Sequence, residues 1–228
     1  GVRMYISFSG GIDVPSINGS VSTHTKAKIG GVEGRPLQKG DELGIKAFTR
    51  DEVHVCDYRG EGHTLFNTAL YNRGGRECHE PLRVVLGDQA KYFTEKGIKT
   101  FSDNIYTLTV ECDRMGFRLD GPEIEHVDSA DIISDGAVFG SIQVPSDGHP
   151  IVLMADRQTT GGYTKIGTII TADLPRLSQL PIGDGVSFNL VSIEEAQSIY
   201  RAYMERLHKR IKLAHEQSAY VFKIRNKI

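Results

Sequence analysis

Five consecutive hydrogen-bonding side chains, Asp156, Arg157, Gln158, Thr159 and Thr160, run directly into Gly161 and Gly162. Carboxylate, guanidinium, amide and hydroxyl groups in one row suit a polar or anionic ligand, and paired glycines let backbone N–H groups approach it closely. The row follows the apolar run 150–155 without a break, so it stands where a strand ends. Gln143, bracketed by Ile142 and Val144, points away from their face on a pleated strand. The bland reading of residues 160–162 is a β-turn capped by its polar neighbours, a common use of these residue types. The length of the polar row favours a ligand-facing rim instead. It is not a phosphate loop, because Gly-x4-Gly-Lys-Ser/Thr occurs nowhere in the chain.

Three short strand-like runs position these groups: residues 141–144, 150–155 and 166–171. Turn chemistry separates them, at 145–148 between the first two and at 160–162 between the last two. Residues 81–86 and 105–110 also read as strands. Residues 88–100 have helical spacing through Ala90, Tyr92, Phe93 and Ile98, and 112–119 run on until Gly121 and Pro122 break them. Nearer the start, residues 3–8 form a strand pattern ended by Gly10 and Gly11.

One pattern occurs twice. Leu37, Gly40, Asp41, Leu43 and Ile45 have the same layout as Leu180, Gly183, Asp184, Val186 and Phe188. This predicts an internal duplication of one β-rich module. On that layout residues 1–50 are the C-terminal half of a first module, 51–80 a connection, 81–191 a second module, and 192–228 a helix and tail. Ser192 and Glu195 make a capping box, after which Ile193, Ala196, Tyr200, Tyr203, Leu207, Ile211 and Ala214 share one helical face. That stripe is longer than one small barrel needs, so part of it is expected to pack on another subunit or domain.

The 228 residues suffice for one large or two small domains. With Lys+Arg at 27 against Asp+Glu at 29, no basic surface argues for nucleic acid. The three cysteines, Cys56, Cys78 and Cys112, are widely spaced and favour a reducing, cytoplasmic setting. The pairs His54/Cys56 and Cys78/His79 fit no zinc spacing, so no metal is expected. Asn18-Gly-Ser is formally a glycosylation sequon and reads as a turn. No apolar run approaches the roughly 18 residues of a membrane span.

The residues become specific in combination. Residues 113–118 (Asp-Arg-Met-Gly-Phe-Arg), 132–136 (Ile-Ile-Ser-Asp-Gly), 142–145 (Ile-Gln-Val-Pro), 150–153 (Pro-Ile-Val-Leu), 156–163 (Asp-Arg-Gln-Thr-Thr-Gly-Gly-Tyr) and 172–176 (Ala-Asp-Leu-Pro-Arg) resemble the biotin-dependent carboxyltransferase family called allophanate hydrolase subunit 2. That family includes the C-type component of ATP-dependent 5-oxoprolinase, the KipA-type proteins and the carboxyltransferase region of urea carboxylase. Residues 9–15 and 31–35 resemble its first half. The resemblance implies a mainly β fold with some α, built of tandem cyclophilin-like β-barrel domains, the first incomplete, plus a long C-terminal helix. The family's N-terminal segment is not in this sequence, so the first barrel is expected to be completed by other polypeptide.

The resemblance implies a subunit of a hydrolase that opens 5-oxo-L-proline to glutamate with ATP and water. Its partners would be a B-type (KipI-like) subunit and an A-type subunit, with ATP held on a partner. Asp113, Asp135 and Asp156 are then the candidate acid/base groups. Arg114, Arg118 and Arg157 are the candidate clamps for a carboxylate or phosphate. Gln143, Gln158, Thr159, Gly161, Gly162 and Tyr163 complete the substrate-binding set. One alternative is carboxyl transfer to urea, with biotin on a partner, since this chain has no Met-Lys-Met attachment site. The other is a non-enzymatic, KipA-type regulator that binds a kinase inhibitor.

Overall fold

Short apolar runs with every second residue buried supply four of the nine strands found among the described residues. In a computed structural model of the chain the described residues are 6, 10–47 and 80–225, with side chains described as far as 213. The strand expected at 3–8, apart from an exposed Ile6, lies outside the described residues, as do Cys56, Cys78, His54 and His79. The chain divides into two compact units, one holding residues 80–211 and the other residues 10–47.

The first unit contains strands β1 (Leu82–Leu86), β2 (Ile105–Leu108), β3 (Gly116–Asp120), β4 (Asp131–Gly136), β5 (Ser141–Gln143), β6 (Ile151–Leu153), β7 (Thr160–Tyr163), β8 (Lys165–Ile169) and β9 (Gly185–Leu190). Seven of them close a barrel in the order β1-β8-β5-β6-β3-β2-β9. Its neighbours are antiparallel except β1 and β9, whose parallel pairing (Leu82 opposite Phe188) shuts the cylinder. The fold is thus mainly β, a closed seven-stranded barrel followed by a C-terminal helix. Val84, Tyr106, Leu108, Phe117, Leu119, Ile142, Val152, Ile166 and Phe188 are among the residues filling the core.

Helix α1 (Glu95–Asp103) follows a 3-10 turn at Asp88–Tyr92 and begins where the Thr94 hydroxyl accepts from the Gly97 amide. Its Phe101 stacks on Phe188 with ring centroids 4.4 Å apart. The Tyr106 hydroxyl donates to the Thr100 carbonyl, and burial pushes its pKa up to about 12. A short helix, α2 (Leu174–Leu177), caps the approach to β9.

Strand β7 corrects the turn expected at residues 160–162. Thr160 and Gly161 pair with Gly136 and Asp135 of β4, making a two-stranded ribbon separate from the barrel, and neither glycine has a positive φ. Glycine's weak strand propensity hid the strand, and its partner β4 carries an irregular register that masks alternation. The turn at 145–148 is as expected, with the Gly148 amide donating to the Pro145 carbonyl at φ +75°.

Gly167 sits at the β1–β8 seam, where an added Cβ would lie 2.6 Å from the Val85 carbonyl oxygen. Neither backbone can yield without opening the barrel. Gly167→Ala is therefore expected to cost about 1–3 kcal/mol, read as a lower midpoint in urea denaturation. An unchanged midpoint would show that the seam has slack.

In the second unit Asn18 (φ +50°) and Gly19 (φ +79°) form a tight turn closed by two hydrogen bonds between Ile17 and Ser20. This is the mirror-image turn that Asn-Gly favours, and it occupies the sequon. The duplicated Gly-Asp pattern has one geometry at both places. Gly40 and Gly183 both have φ near +90°, at +99° and +90°, and the following Asp amide donates to a carbonyl three residues back. In the first of these turns Arg35 grips Asp41 through two hydrogen bonds and holds its carboxyl down at about 2.

Helix α3 (Ile193–Arg225) starts with the serine half of the expected capping box, the Ser192 hydroxyl accepting from the Glu195 amide. None of its described side chains is buried, and Ile193, Tyr200 and Ile211 of the apolar stripe remain exposed.

Candidate functional site

The polar row that follows β6 is held between two groups of side chains. On one side the turn ahead of β3 meets it. The Asp113 carboxylate accepts from the amides of Met115 and Gly116, shaping that turn. The Arg114 carbonyl accepts from the Asp156 amide, and its guanidinium grips the Asp156 carboxylate at 2.6 and 2.9 Å. This fork-on-carboxylate geometry fixes both planes, so Arg114 and Asp156 act as one rigid pair. Arg118 is not drawn in; its guanidinium pairs with Glu111 at 3.1 Å on the exposed face of β3.

On the other side the row folds back over β5. Gln158 donates through Nε2 to Gln143 Oε1 at 3.3 Å. Gln143 is only 2% exposed, flanked by the fully buried Ile142 and Val144, so this strand is covered on both faces. The outer cover is the ribbon, for a Cβ on Gly161 would come within 2.4 Å of Gln143 Nε2. Gly161 is therefore a close-approach glycine. The pairing of β5 with β8 slips here, Ile142 facing Gly167 and Gln143 facing Lys165, which is a β-bulge at Ile166. Such bulges re-aim a side chain beside functional sites.

Between the two groups, Arg157 donates from Nε to the Ala137 carbonyl, while the Thr159 carbonyl accepts from the Ala137 amide. The terminal nitrogens of Arg157 have no partner among the described residues. Tyr163 stands opposite Asp131 and is partly exposed, and Gly162 lies against the Ile132 carbonyl.

Asp135 belongs to the ribbon, where Lys165 donates to its Oδ2 at 2.8 Å and Gln89 at 2.7 Å. The hydrogen bond from the Lys165 ammonium holds the Asp135 carboxyl below the usual carboxylate range. Asp135 is thus an anion at neutral pH, suited to hold a cation or accept a proton and unsuited to donate one. Gln89 also accepts from the Lys165 amide at 2.9 Å, so a single carboxamide ties β8 to the ribbon. Sequence reading missed both Lys165 and Gln89. The available signal was a lone lysine opening an otherwise apolar strand, and its side chain is 14% exposed.

Removing that charge should loosen the ribbon in a pH-dependent way. A depressed folded-state pKa contributes stability above the ordinary carboxylate value, near 4, and loses it as pH falls through the folded value. Asp135→Asn is expected to speed amide exchange in β4 and β7 at neutral pH. In the wild type the same acceleration is expected only on acidification below about pH 4. Equal exchange in both proteins at neutral pH would show that the Asp135 carboxylate does not hold the ribbon down.

Among the described residues no three His, Cys, Asp or Glu side chains gather as a metal site, and no helix is long and apolar enough to cross a membrane.

Comparison with known proteins gives three kinds of likeness. The family profile described as carboxyltransferase domain, subdomain A and B, matches residues 1–190. The C-type component of the 5-oxoprolinase of Escherichia coli (strain K12) is 37% identical over 214 residues, covering 92% of this chain and 64% of that protein. Its Haemophilus influenzae counterpart is 33% identical over 214 residues, covering 92% and 63%. The chain thus spans somewhat under two thirds of these relatives. The solved urea amidolyase of K. lactis superposes with a TM-score of 0.71 at 23% identity, over 88% of this chain and 13% of that one.

Proposed function

The chain belongs to the carboxyltransferase-domain family of subdomains A and B, and on that premise we propose that it is the C-type component of an ATP-dependent 5-oxoprolinase. The reaction is 5-oxo-L-proline plus ATP and water to L-glutamate, ADP and phosphate, carried out with a B-type and an A-type partner in the cytoplasm. The observation that carries this reading is the 37% identity, over nearly the whole chain, to the C-type component of a 5-oxoprolinase.

The side chains around residues 156–158 suit such a substrate. Arg157 offers its terminal guanidinium nitrogens to the ring carboxylate. Gln143 and Gln158 carry amide groups of the kind that pair with the donor and acceptor edges of a lactam, Gln143 lying beneath the β4–β7 ribbon. Asp156, held by Arg114, is a fixed carboxylate able to accept a proton from the attacking water. The described residues do not fit ATP, since the chain lacks a phosphate loop and Arg114 is committed to Asp156. ATP is accordingly assigned to a partner, where it supplies the phosphoryl group that makes the amide carbon electrophilic.

The family's description as a carboxyltransferase domain favours a second reading, carboxyl transfer to urea from biotin carried on another chain. A single preparation separates the two. Offered 5-oxo-L-proline or urea in turn, the chain with its partners is expected to hydrolyse ATP only with the first. Urea-stimulated hydrolysis that requires a biotinylated carrier would replace the first reading by the second.

A further inference from the structure

The Nε2 group of Gln143 is buried and has no hydrogen-bond partner. A buried donor left unsatisfied destabilises a fold, and native structures hold few of them. The amide oxygen is used by Gln158, but no described group accepts from the nitrogen. Three further observations converge on the same atom. The β-bulge at Ile166 sets the local register of β5, the Gln158 amide fixes Gln143 through its oxygen, and Gly161 leaves bare backbone above the nitrogen.

What lies above Gln143 is a ribbon outside the barrel's own hydrogen-bonded sheet. Strands β4 and β7 pair only with each other, and every side chain of β4 except Ile132 is exposed, Ile133 reaching 95%. A two-stranded ribbon alone is marginal in water. Its side-chain ties to the barrel run through Asp135 to Lys165 and Gln89, groups that release without disturbing the core.

The geometry points to Gln143 as the residue that reads a ligand's carbonyl oxygen, beneath a β4–β7 ribbon that lifts to admit it. The ligand class is a small planar amide, either a lactam or a ureide, whose oxygen accepts from Nε2. This deepens the functional reading above and rests on it for the choice of lactam. The present closed arrangement leaves the donor without an acceptor, and a bound oxygen supplies one. Gly161 is part of the device, since any side chain there would strike Nε2 and hold the ribbon open.

The test uses side-chain amide NMR on the purified 228-residue chain, with Gln143→Leu identifying the Gln143 resonance pair by its absence. Titration with 5-oxo-L-proline is expected to shift that pair saturably and to alter amide exchange in β7. If urea shifts it and 5-oxo-L-proline does not, the carbonyl-reading role stands and the 5-oxoprolinase reading falls. If neither moves it, the role assigned to Gln143 is overturned, whatever ring-opening assays show. A second readout guards against a merely structural role. Gln143→Leu removes the unsatisfied donor, so its melting temperature is expected to rise by about 2–4 °C. A melting temperature lowered by that much would mean that the amide supports the fold and is no ligand reader.

Discussion

Asp173→Ala is expected to lower the stability of the barrel unit more than any other single charge removal among the described residues. The Asp173 side chain is 1% exposed and gathers four donors. Arg83 contributes its backbone amide at 2.8 Å, Nε at 2.9 Å and Nη2 at 2.6 Å, and Arg176 approaches with Nη1 at 3.5 Å. Alanine would strand a buried amide and leave two arginines side by side without their anion. Breaking a buried pair costs about 3–5 kcal/mol. Arg83 is a third exposed and can turn toward water, so the lower end applies, about 3 kcal/mol. The corresponding fall in melting temperature is roughly 6–12 °C for a domain of this size. Asp173→Asn keeps one acceptor and should fall between. A loss below about 1 kcal/mol for alanine would mean that solvent replaces the carboxylate, against its burial.

Arg157→Ala is expected to have the largest effect on activity at little cost to the fold. Among the described residues the guanidinium makes one hydrogen bond, at 3.3 Å to the Ala137 carbonyl, so its loss removes little structure. If its terminal nitrogens hold the substrate carboxylate, deletion removes a charge-assisted pair, about 1.5–3 kcal/mol. That corresponds to roughly 10- to 150-fold in kcat/KM. A clamp made equally in ground and transition states acts through KM, and one tightened in the transition state through kcat. Arg114→Ala should differ, since that side chain orients Asp156 and its loss should lower kcat more than it raises KM. Wild-type kinetics for Arg157→Ala in the assembled enzyme would exclude it from the site.

Much of the barrel was legible because its strands are short apolar runs, alternating in β1, β2, β3 and β9 and continuously buried in β5, and are punctuated by turn formers. The runs at 141–144 and 150–155 contain β5 and β6, and the run at 166–171 overlaps β8, which begins one residue earlier at Lys165. The Gly-Asp turns at Gly40 and Gly183 were visible for the same local reason. Strand β7 was not, because its glycines answer to Gln143 across the sheet and not to their own backbone preference. The motif at residues 172–176 is legible as a resemblance, yet the reason for its aspartate lies in Arg83, far away in sequence.

The site was legible as a row and not as an arrangement. Residues 156–160 declare themselves by polarity, and Arg114 is a natural candidate to join them. That Arg114 would be spent on Asp156, or Arg118 on Glu111, depends on strand register, which side-chain type does not encode. Asp135 stands out in sequence only as a carboxylate beside a glycine. Its partners there are Lys165 and Gln89, which meet it only once the ribbon is laid over β8.

The most direct measurement of the central claim is glutamate release from 5-oxo-L-proline in a mixture of B-type and A-type partners, with and without this chain. The account predicts ATP-dependent release that begins when the chain is added and saturates at a fixed ratio to its partners. Release at the same rate without the chain, or none in the complete mixture while the chain binds the B-type partner, would contradict it, the latter favouring a regulatory protein.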